Sequence, residues 1–296
     1  MAHQAQAQAQ PKTYFLNRYD LQEKMGEGGF SSVYRAVEVR TQRPVALKMV
    51  SKRNISSTQR DNVLKETALL RRLDHPNIVK MYNFHDTPQH YTLVLELMSQ
   101  GELFNKLVKD VYFSEPVARH VVIQIAIGIQ YLHEVQGIVH RDIKLENLLY
   151  EAPSTKPGEQ LDYSQVDAGV TYACGIGNIK IADFGLSKVI FDKSTRTPCG
   201  TVGYTAPEIL NDERYDKGVD IWALGCVLYT VLCGFPPFYD EDQKALAEKV
   251  ARGEFKFLSP WWDPISFEAK DLVTRCLEVD PAKRYSIDAF LNHPWC

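Results

Sequence analysis

The chain has 296 residues, 45% of them hydrophobic and 24% charged, which are ordinary proportions for a soluble globular protein with a buried core. Its formal net charge of -3 at pH 7 argues against general nucleic-acid binding, which usually depends on a basic excess on one face. No apolar run approaches the length of a membrane span, and the N-terminus has no basic-then-apolar secretion signal.

The six cysteines are scattered along the chain without a CxxC pair. This spacing favours reduced thiols over a zinc site or a disulfide framework. We therefore expect an intracellular monomer that binds neither nucleic acid nor membrane. The cytoplasm is its expected location, with the nucleus as a second one.

The N-terminal third is predicted to be rich in β-structure after a disordered start. Residues 1–18 begin with the polar repeat MAHQAQAQAQPK, which cannot offset the entropy of ordering. Strand-forming residues then predict strands over 33–37, 44–50 and 90–97. Apolar residues at helical spacing predict a helix over 59–73; they are Val63, Leu64, Leu69, Leu70 and Leu73.

The rest of the chain is predicted to be mostly helical. Apolar residues recur at helical spacing over 116–133, 221–232 and 269–277. The fold class is therefore α+β, a bilobal domain over 19–295, with a small β-rich lobe (about 19–97) and a larger α-helical lobe (about 98–295). A cleft between the lobes is the expected binding site.

One segment interrupts the helical part. Residues 151–178 are rich in Pro, Ser, Thr, Gly and acidic residues and lie between two apolar runs. Compact domains seldom contain loops of more than about 12–15 unstructured residues. We expect an exposed, mobile insertion here, and a tolerated surface loop is favoured over a binding role.

A glycine cluster, GEGGFSSV, occupies residues 26–33. Glycines allow the backbone to approach a phosphate closely and to direct amide N–H groups at its oxygens. By itself the cluster is weak evidence, because most such clusters are turns. A strand rather than a helix follows the glycines and there is no GxxxxGK[ST] sequence, which excludes the two common nucleotide-binding loops. The candidate nucleotide-binding residues here are Gly26, Glu27, Gly28, Gly29, Phe30 and Val33.

Lys48 lies in the predicted strand VALK. A lysine on a strand usually faces solvent, but the apolar neighbours of Lys48 indicate a partly buried strand, where an ammonium group needs a carboxylate partner. Glu66 on the predicted helix is the best candidate for that partner. Together they would hold Lys48 against the α- and β-phosphates of a nucleotide.

The densest pattern is HRDIKLEN at residues 140–147, followed by ADFG at 182–185. Both resemble the catalytic and metal-binding loops of eukaryotic protein kinases, in the same order. APE at 206–208, DIWALG at 220–225 and DPAKR at 280–284 match further motifs of that family, in the same order. The resemblance covers the chain from about Tyr19 to Trp295.

The resemblance implies how the catalytic residues act. Phosphoryl transfer needs positioning and charge neutralisation above all. Asp183 and Asn147 would hold two Mg²⁺ ions between the phosphates of ATP. Asp142 would orient the incoming hydroxyl group and accept its proton, and Lys144 would neutralise the γ-phosphoryl group.

The resemblance also assigns the adenine site. The side chains of Val33, Ala46 and Leu149 would sandwich the base, and backbone groups near Glu96 and Met98 would bond its edge. Ser31 stands where the family often has a third glycine, and we expect only a slight stiffening of the loop.

A structural ion pair is expected between Glu208 and Arg284 by the same resemblance. Substrate class follows from Lys144, since tyrosine kinases usually place arginine and alanine near this point. Thr201 supports the serine/threonine class, because it would hydrogen-bond near Asp142 and Lys144.

Two acids predict the substrate sequence. Glu102, which we also include in the nucleotide site, and Glu146 match acids that pair in basophilic kinases with an arginine three residues before the target. Thr230 stands where kinases that also require arginine at minus two have an acid. We therefore expect protein substrates with basic residues before the target and the motif R-x-x-S/T.

Thr197 is the candidate regulatory phosphosite. A phosphothreonine carries about -1.5 to -2 charges and can order a loop by pairing with arginine, and Arg141 is the expected partner. Thr197-Pro198 is a minimal proline-directed site, which makes a mitogen- or stress-activated kinase a candidate activator. The alternative is that Pro198 only shapes the turn and that activation is autocatalytic.

Within protein kinases, the sequence looks like the calmodulin-dependent-kinase group. GFPPF at 234–238 supports this, and the long insertion with PWWD at 260–263 most resembles the fungal Rck/Srk-type, stress-responsive kinases. A pseudokinase scaffold that binds partners without catalysis is the main alternative, although it would be expected to lack Lys48, Asp142 or Asp183. A small-molecule kinase is a third possibility, disfavoured by the motifs from residue 206 onward.

Overall fold

The chain forms two compact units in this computed structural model, which describes residues 16–29, 31–53, 55–153, 174–185, 188–189, 202–211, 213 and 215–296. The first unit comprises the chain up to Arg71 together with Lys80–Leu97. The second comprises Arg72–Val79 and Met98–Cys296. The first is dominated by a β-sheet and the second by α-helices, so the prediction of an α+β fold is confirmed.

The first unit contains a five-stranded antiparallel sheet with the strand order β1-β2-β3-β5-β4. Its strands are β1 (Tyr19–Glu27), β2 (Ser31–Glu38), β3 (Arg43–Ser51), β4 (Met81–Asp86) and β5 (His90–Glu96). Val45 and Leu47 of β3 pack in a core cluster on one face of the sheet. Because side chains alternate along a strand, Ala46 and Lys48 point to the opposite face.

The glycine cluster lies where β1 ends and β2 begins. The amide of Gly28 donates to the carbonyl of Ser31 at 2.8 Å, which closes the turn. From there β2 pairs with β3 without a register shift, and Val33 stands opposite Lys48. The turn and the β3 lysine are therefore joined by one continuous ladder.

The helix of the first unit is α1 (Ser57–Leu70). Its N-terminus is fixed by a capping box, in which Ser56 and Gln59 satisfy each other's backbone amides. Glu66 is buried, at 6% exposure, whereas Leu64 is 43% exposed. Leu64, one of the apolar residues at helical spacing, does not lie on the buried side, because two residues of helix rotate it to the side opposite Glu66.

The second unit is built around a nearly fully buried helix, α5. Its helices are α2 (Leu103–Asp110), α3 (Glu115–Gln130), α4 (Pro207–Leu210), α5 (Gly218–Cys233), α6 (Gln243–Arg252), α7 (Phe267–Cys276) and α8 (Ile287–Leu291). A helix that is apolar on every side is expected at the centre of a packed unit. It ends at Gly234, which has a φ of 88°. A Cβ added at this position would lie 2.3 Å from the carbonyl oxygen of Val111, so only glycine fits.

Two short antiparallel pairs complete the second unit. β6 (Ile138–Val139) pairs with β9 (Lys188–Val189), and β7 (Leu148–Tyr150) pairs with β8 (Ile179–Ile181). The β7–β8 pair brings the end of the HRDIKLEN loop beside the start of the ADFG segment. A bond from the amide of Ala182 to the carbonyl of Asn147, 2.9 Å long, joins the two.

The predicted insertion at 151–178 is not exposed at its second end. Ile176 is 0% exposed and Asn178 4%, since both lie against partners in the helical unit that the local sequence does not reveal. Residues 154–173 lie outside the described part of the chain. Among the residues that are described, no helix has both the length and the apolar character that a bilayer crossing requires.

Candidate active site

Asp220 at the start of α5 fixes the backbone of the catalytic loop. Its two carboxylate oxygens accept from the amides of His140, at 2.9 Å, and Arg141, at 2.8 Å. The ring of His133 lies 2.7 Å from the same carboxylate. Burial raises the pKa of Asp220, but the contact with His133 and the remaining favourable interactions, among them the hydrogen bond from the amide of Arg141, together outweigh it, and the pKa lies below the usual value. The carboxylate therefore stays charged and holds the loop.

The loop takes a strained backbone at this anchor. Arg141 has a φ of 70°, in the left-handed region that residues with a side chain seldom adopt. Its guanidinium donates to the hydroxyl of Tyr215 at 2.7 Å. Strain of this kind persists where neighbouring bonds enforce it, as the bonds to Asp220 do here.

Asp142 follows directly and is held by two side chains of the same loop. The amide group of Asn147 donates to both the carboxylate and the carbonyl of Asp142, each at 2.8 Å. The ammonium of Lys144 lies 3.0 Å from the same carboxylate oxygen. The structure thus brings together the three residues that the sequence predicts as base, phosphate ligand and metal ligand.

Asp183 lies two residues beyond β8, in an exposed position with a φ of 59°. Its carboxylate accepts from the amide of Gly185 at 3.2 Å. The preceding Ala182 is bonded on one side to Asn147 and on the other to the ring of His140, at 3.1 Å. The backbones that carry Asn147 and Asp183 are therefore directly linked.

His140 connects the two loops from a buried position. Its ring packs edge-on against Phe184, with centroids 4.8 Å apart. Burial lowers the pKa of His140, so the ring is neutral at physiological pH. No role was predicted for His140, His133 or Tyr215, although His140 and Asp220 belong to recognised motifs.

In the first unit, Lys48 and Glu66 form the predicted pair. The ammonium nitrogen of Lys48 lies 2.9 Å from a carboxylate oxygen of Glu66. Their side chains are 19% and 7% exposed, so the pair is largely shielded from solvent. Ala46, two residues earlier on the same face of β3, is 8% exposed.

Each of the remaining residues predicted to bind nucleotide can be placed in one unit or the other. Gly26 and Glu27 lie at the end of β1, Gly28 and Gly29 in the following turn, and Val33 on β2. Glu96 ends β5, and its carboxylate accepts from the amide of Lys80 at 3.1 Å. In the second unit, Met98 is buried, and Leu149 of β7 pairs with Glu102 in an isolated bridge.

The two acids predicted to bind substrate arginine lie close to each other. Burial, and then the charge of Glu146, raises the pKa of Glu102. One carboxylate oxygen of Glu146 is buried without a hydrogen-bond partner. Within the described ranges, neither acid forms an ion pair with a lysine or arginine. Uncompensated neighbouring carboxylates form a site suited to a cation.

Tyr204 belongs to the same acidic region and was not predicted. Burial, together with the charge of Glu146, raises the pKa of Tyr204, so its phenol stays protonated. Thr230 on α5 is buried and donates to the carbonyl of Cys226 at 2.7 Å. The predicted site residues Phe30, Thr197 and Thr201 lie outside the described part of the chain.

The predicted structural ion pair is confirmed. Both terminal nitrogens of Arg284 contact the carboxylate of Glu208, at 2.7 and 2.9 Å, and both residues are buried. This two-pronged geometry is the strongest form of such a pair. It joins α4, which follows the segment that contains Thr197, to the segment before α8.

Comparison with known proteins agrees with this geometry. A family profile described as the protein kinase domain matches residues 19–296. The chain belongs to the protein kinase family. The predicted resemblance to fungal Rck/Srk-type kinases within the calmodulin-dependent-kinase group is also confirmed by the relatives that the chain matches.

Three relatives illustrate the similarity. The chain is 53% identical to serine/threonine-protein kinase srk1 of Schizosaccharomyces pombe over 95% of its own length and 52% of that protein. It is 44% identical to serine/threonine-protein kinase RCK2 of Saccharomyces cerevisiae, over 96% and 54% respectively. Calcium/calmodulin-dependent protein kinase type 1B of Rattus norvegicus is 41% identical, over 94% and 74%. The chain spans about half the length of the two fungal proteins.

Proposed function

We propose that this chain is a protein serine/threonine kinase, which transfers the γ-phosphoryl group of ATP to serine and threonine hydroxyl groups of proteins. The observation that carries the proposal is the carboxylate of Asp142. Asn147 and Lys144 hold it at 2.8 and 3.0 Å, in a loop that Asp220 anchors. A carboxylate with this support can orient a hydroxyl group and accept its proton.

Asp142 and Lys144 divide the chemistry between them. Asp142 receives the proton as the substrate oxygen attacks phosphorus, and Lys144 balances the negative charge of the transferred group. The ammonium of Lys144 already lies beside the Asp142 carboxylate, so little movement is needed before reaction. Pre-organised charge of this kind is the chief contribution of a protein to phosphoryl transfer.

Asn147 and Asp183 fit the requirements of magnesium. Mg²⁺ prefers oxygen ligands, and it neutralises phosphate charge when it is bound together with ATP. Both hydrogen bonds of the Asn147 side chain use its amide nitrogen, which leaves the amide oxygen available. Asp183 supplies an exposed carboxylate on a backbone joined to that of Asn147.

The first unit supplies the groups proposed to hold the nucleotide. Lys48, fixed by Glu66, would contact the α- and β-phosphates through its ammonium group. The glycine turn after β1 would lie over the phosphates. Val33 and Ala46 would contact the adenine.

The acidic pair is proposed to select the substrate. Glu102 and Glu146 would bind the guanidinium group of an arginine three residues before the target, which gives the motif R-x-x-S/T. Support comes from the unsatisfied carboxylate oxygen of Glu146 and the raised pKa of Glu102. A bound arginine would relieve both.

Regulation by a mitogen- or stress-activated kinase is proposed from Thr197-Pro198. The phosphate would pair with Arg141, whose Nε is buried without a hydrogen-bond partner among the described residues. The cytoplasm and nucleus remain the proposed locations.

The test is direct phosphoryl transfer. Purified chain is incubated with radiolabelled ATP, Mg²⁺ and peptides that differ only by arginine or alanine at minus three, with and without phosphate on Thr197. We expect label on the serine or threonine of the arginine peptide, and none with Asp183→Asn. Absence of transfer to any peptide by a folded, phosphorylated chain contradicts the proposal and favours a scaffold.

A further inference from the structure

One side of α3 is directed at β8, the strand that leads to Asp183. His120, Gln124 and Gly128 recur every four residues, which places them along one side of the helix. At Gly128 an added Cβ would lie 3.0 Å from the Cδ1 of Ile181 and 3.2 Å from the carbonyl of Asn77. The helix therefore approaches β8 closely at its C-terminal end and carries polar side chains at its N-terminal end.

Those polar side chains bond to the backbone before and within β8. The side-chain oxygen of Gln124 accepts from the amide of Ile179 at 2.9 Å, and its nitrogen donates to the carbonyl of Gly177 at 3.1 Å. The Nε2 of His120 lies 2.9 and 3.0 Å from the carbonyls of Ile176 and Gly177. Since carbonyls only accept, the ring must carry a proton on Nε2.

Asn77 completes the set of contacts from the other side of the strand. Its side-chain nitrogen donates to the carbonyl of Ile179 at 2.9 Å and to the oxygen of Gln124 at 3.2 Å. Its own carbonyl accepts from the amide of Ile181 at 2.9 Å. The three side chains thus bond to the start of β8 and to the residues before it, and the backbone carbonyl of Asn77 bonds to Ile181 at the end of the strand.

Burying these polar groups costs free energy of hydration, and apolar residues could fill the same space. Their presence therefore indicates a role that apolar residues cannot perform. His120 is 0% exposed, and Gln124 and Asn77 are each 6% exposed. Polar side chains in such positions lose their hydration, and apolar residues of similar size often give equal or greater stability. What the polar groups provide is a specific position of the strand along its own axis.

We propose that His120 and Gln124 are positioning residues for phosphoryl transfer, which act through the backbone of β8 on Asp183. The inference rests on the proposed role of Asp183 as a magnesium ligand. Only Ala182 separates Ile181 from Asp183, and the φ of 59° at Asp183 requires its backbone to be held from outside. A shift of β8 would move the carboxylate relative to Asn147.

The test compares Gln124→Met and His120→Leu with the unmodified chain. We expect the Mg²⁺ concentration for half-maximal rate to rise about 10-fold, as is usual when a residue behind a metal ligand is lost. KM for the peptide should not change. Calorimetry should show a matching loss of ADP affinity in Mg²⁺ but none without it, and the amide of Ile179 should exchange faster in Gln124→Met.

Two further variants separate positioning from stability. His120→Gln keeps a donor near the Nε2 position and should restore most of the Mg²⁺ response. Val122→Ala removes an equally buried side chain from the opposite side of α3. It should lower the melting temperature without changing the Mg²⁺ response.

These outcomes separate the positioning role of His120 and Gln124 from the proposed role of Asp183. If Gln124→Met and His120→Leu respond to Mg²⁺ like the unmodified chain, or behave like Val122→Ala, the positioning role is wrong. Failure of both His120→Gln and Gln124→Met to fold would also contradict it, because the network would then serve stability alone. Full activity of Asp183→Asn would instead overturn the proposed role of Asp183.

Discussion

At the scale of single residues, Asp142 offers the most direct test of the proposed chemistry. Asp142→Asn keeps the size of the side chain and a hydrogen bond with Asn147, but it removes the negative charge that faces Lys144. We expect kcat to fall by about 10²- to 10⁴-fold, the usual contribution of a general base. Nucleotide affinity, measured by calorimetry, should stay within a factor of about 3 of the unmodified value, well below the tenfold that 1.4 kcal/mol represents.

A matched exchange at another aspartate controls for charge. Asp240 is paired with Lys249 at 2.8 Å in the same unit, away from the catalytic loop. Asp240→Asn should leave kcat unchanged. Equal activity of Asp142→Asn and the unmodified chain would rule out Asp142 as the base.

The acidic pair predicts a loss of substrate specificity without a loss of stability. Glu102→Gln or Glu146→Gln removes one of two like charges that lie together without a described cation, which relieves their repulsion. We expect each variant to melt at a temperature no lower than the unmodified chain. The preference for arginine over alanine at minus three, as a ratio of kcat/KM, should fall by roughly 10- to 100-fold, because a charge-assisted bond contributes about 1.5–3 kcal/mol.

The exposed Glu248 serves as the control for these variants. It lies on α6 in an i,i+4 contact with Arg252. Glu248→Gln should not change the arginine preference. It should change the free energy of unfolding by no more than about 0.5 kcal/mol. An unaltered arginine preference in the Glu102 and Glu146 variants would exclude the proposed substrate subsite.

At the scale of elements, α1 depends on its capping box. Ser56→Ala removes the bond from the amide of Gln59 to the serine hydroxyl, 3.2 Å long. We expect a loss of about 1 kcal/mol, a typical value for an N-cap. Hydrogen exchange of the α1 amides should accelerate roughly 5-fold, since local opening becomes easier by that free energy.

Loss of the cap should also lower catalytic activity, because α1 carries Glu66, the partner of Lys48. Ser57→Ala changes the same residue type one position later and makes the matched control. It should leave exchange in α1 unaltered. Equal acceleration in both variants would show that the cap contributes nothing specific.

Elements also show why some features could be predicted from the sequence and others could not. The strands around Val33 and Lys48 were predicted because β-branched and apolar residues are concentrated there. β1 and β4 were missed, since β1 is mostly exposed and β4 reads MYNFHD, which has little strand character. Their pairing is decided by the sheet rather than by their own residues.

The candidate site divides in the same way. Its loops could be located because HRDIKLEN and ADFG each keep their chemistry within a few consecutive residues. The buried second end of the insertion could not, because Ile176 and Asn178 bond to His120 and to the carbonyl of Pro76, which are more than 50 residues away in the sequence. Contacts of that kind leave no local periodicity in the sequence.

At the scale of the whole molecule, two buried and two partly buried histidines couple stability to pH. Burial lowers the pKa of His75, His85, His120 and His140 below the ordinary value of 6.5. The unfolded chain therefore binds more protons than the folded chain just below pH 6.5. By linkage, the free energy of unfolding must rise with pH in that range and level off above it.

Chemical denaturation at pH 7.5, 6.5 and 5.5 tests this coupling. We expect the free energy of unfolding to change little between pH 7.5 and 6.5. Below that it should fall, with each of these histidines contributing at most about 1.4 kcal/mol per pH unit.

In His120→Gln, one titrating group is gone while a hydrogen-bond donor remains, so the fall in the free energy of unfolding between pH 6.5 and 5.5 should be shallower. Gln22→His, at an exposed position of β1, adds a histidine free to titrate in both states, and its slope should match that of the unmodified chain. A slope in His120→Gln as steep as in the unmodified chain would mean that His120 is not held neutral by burial.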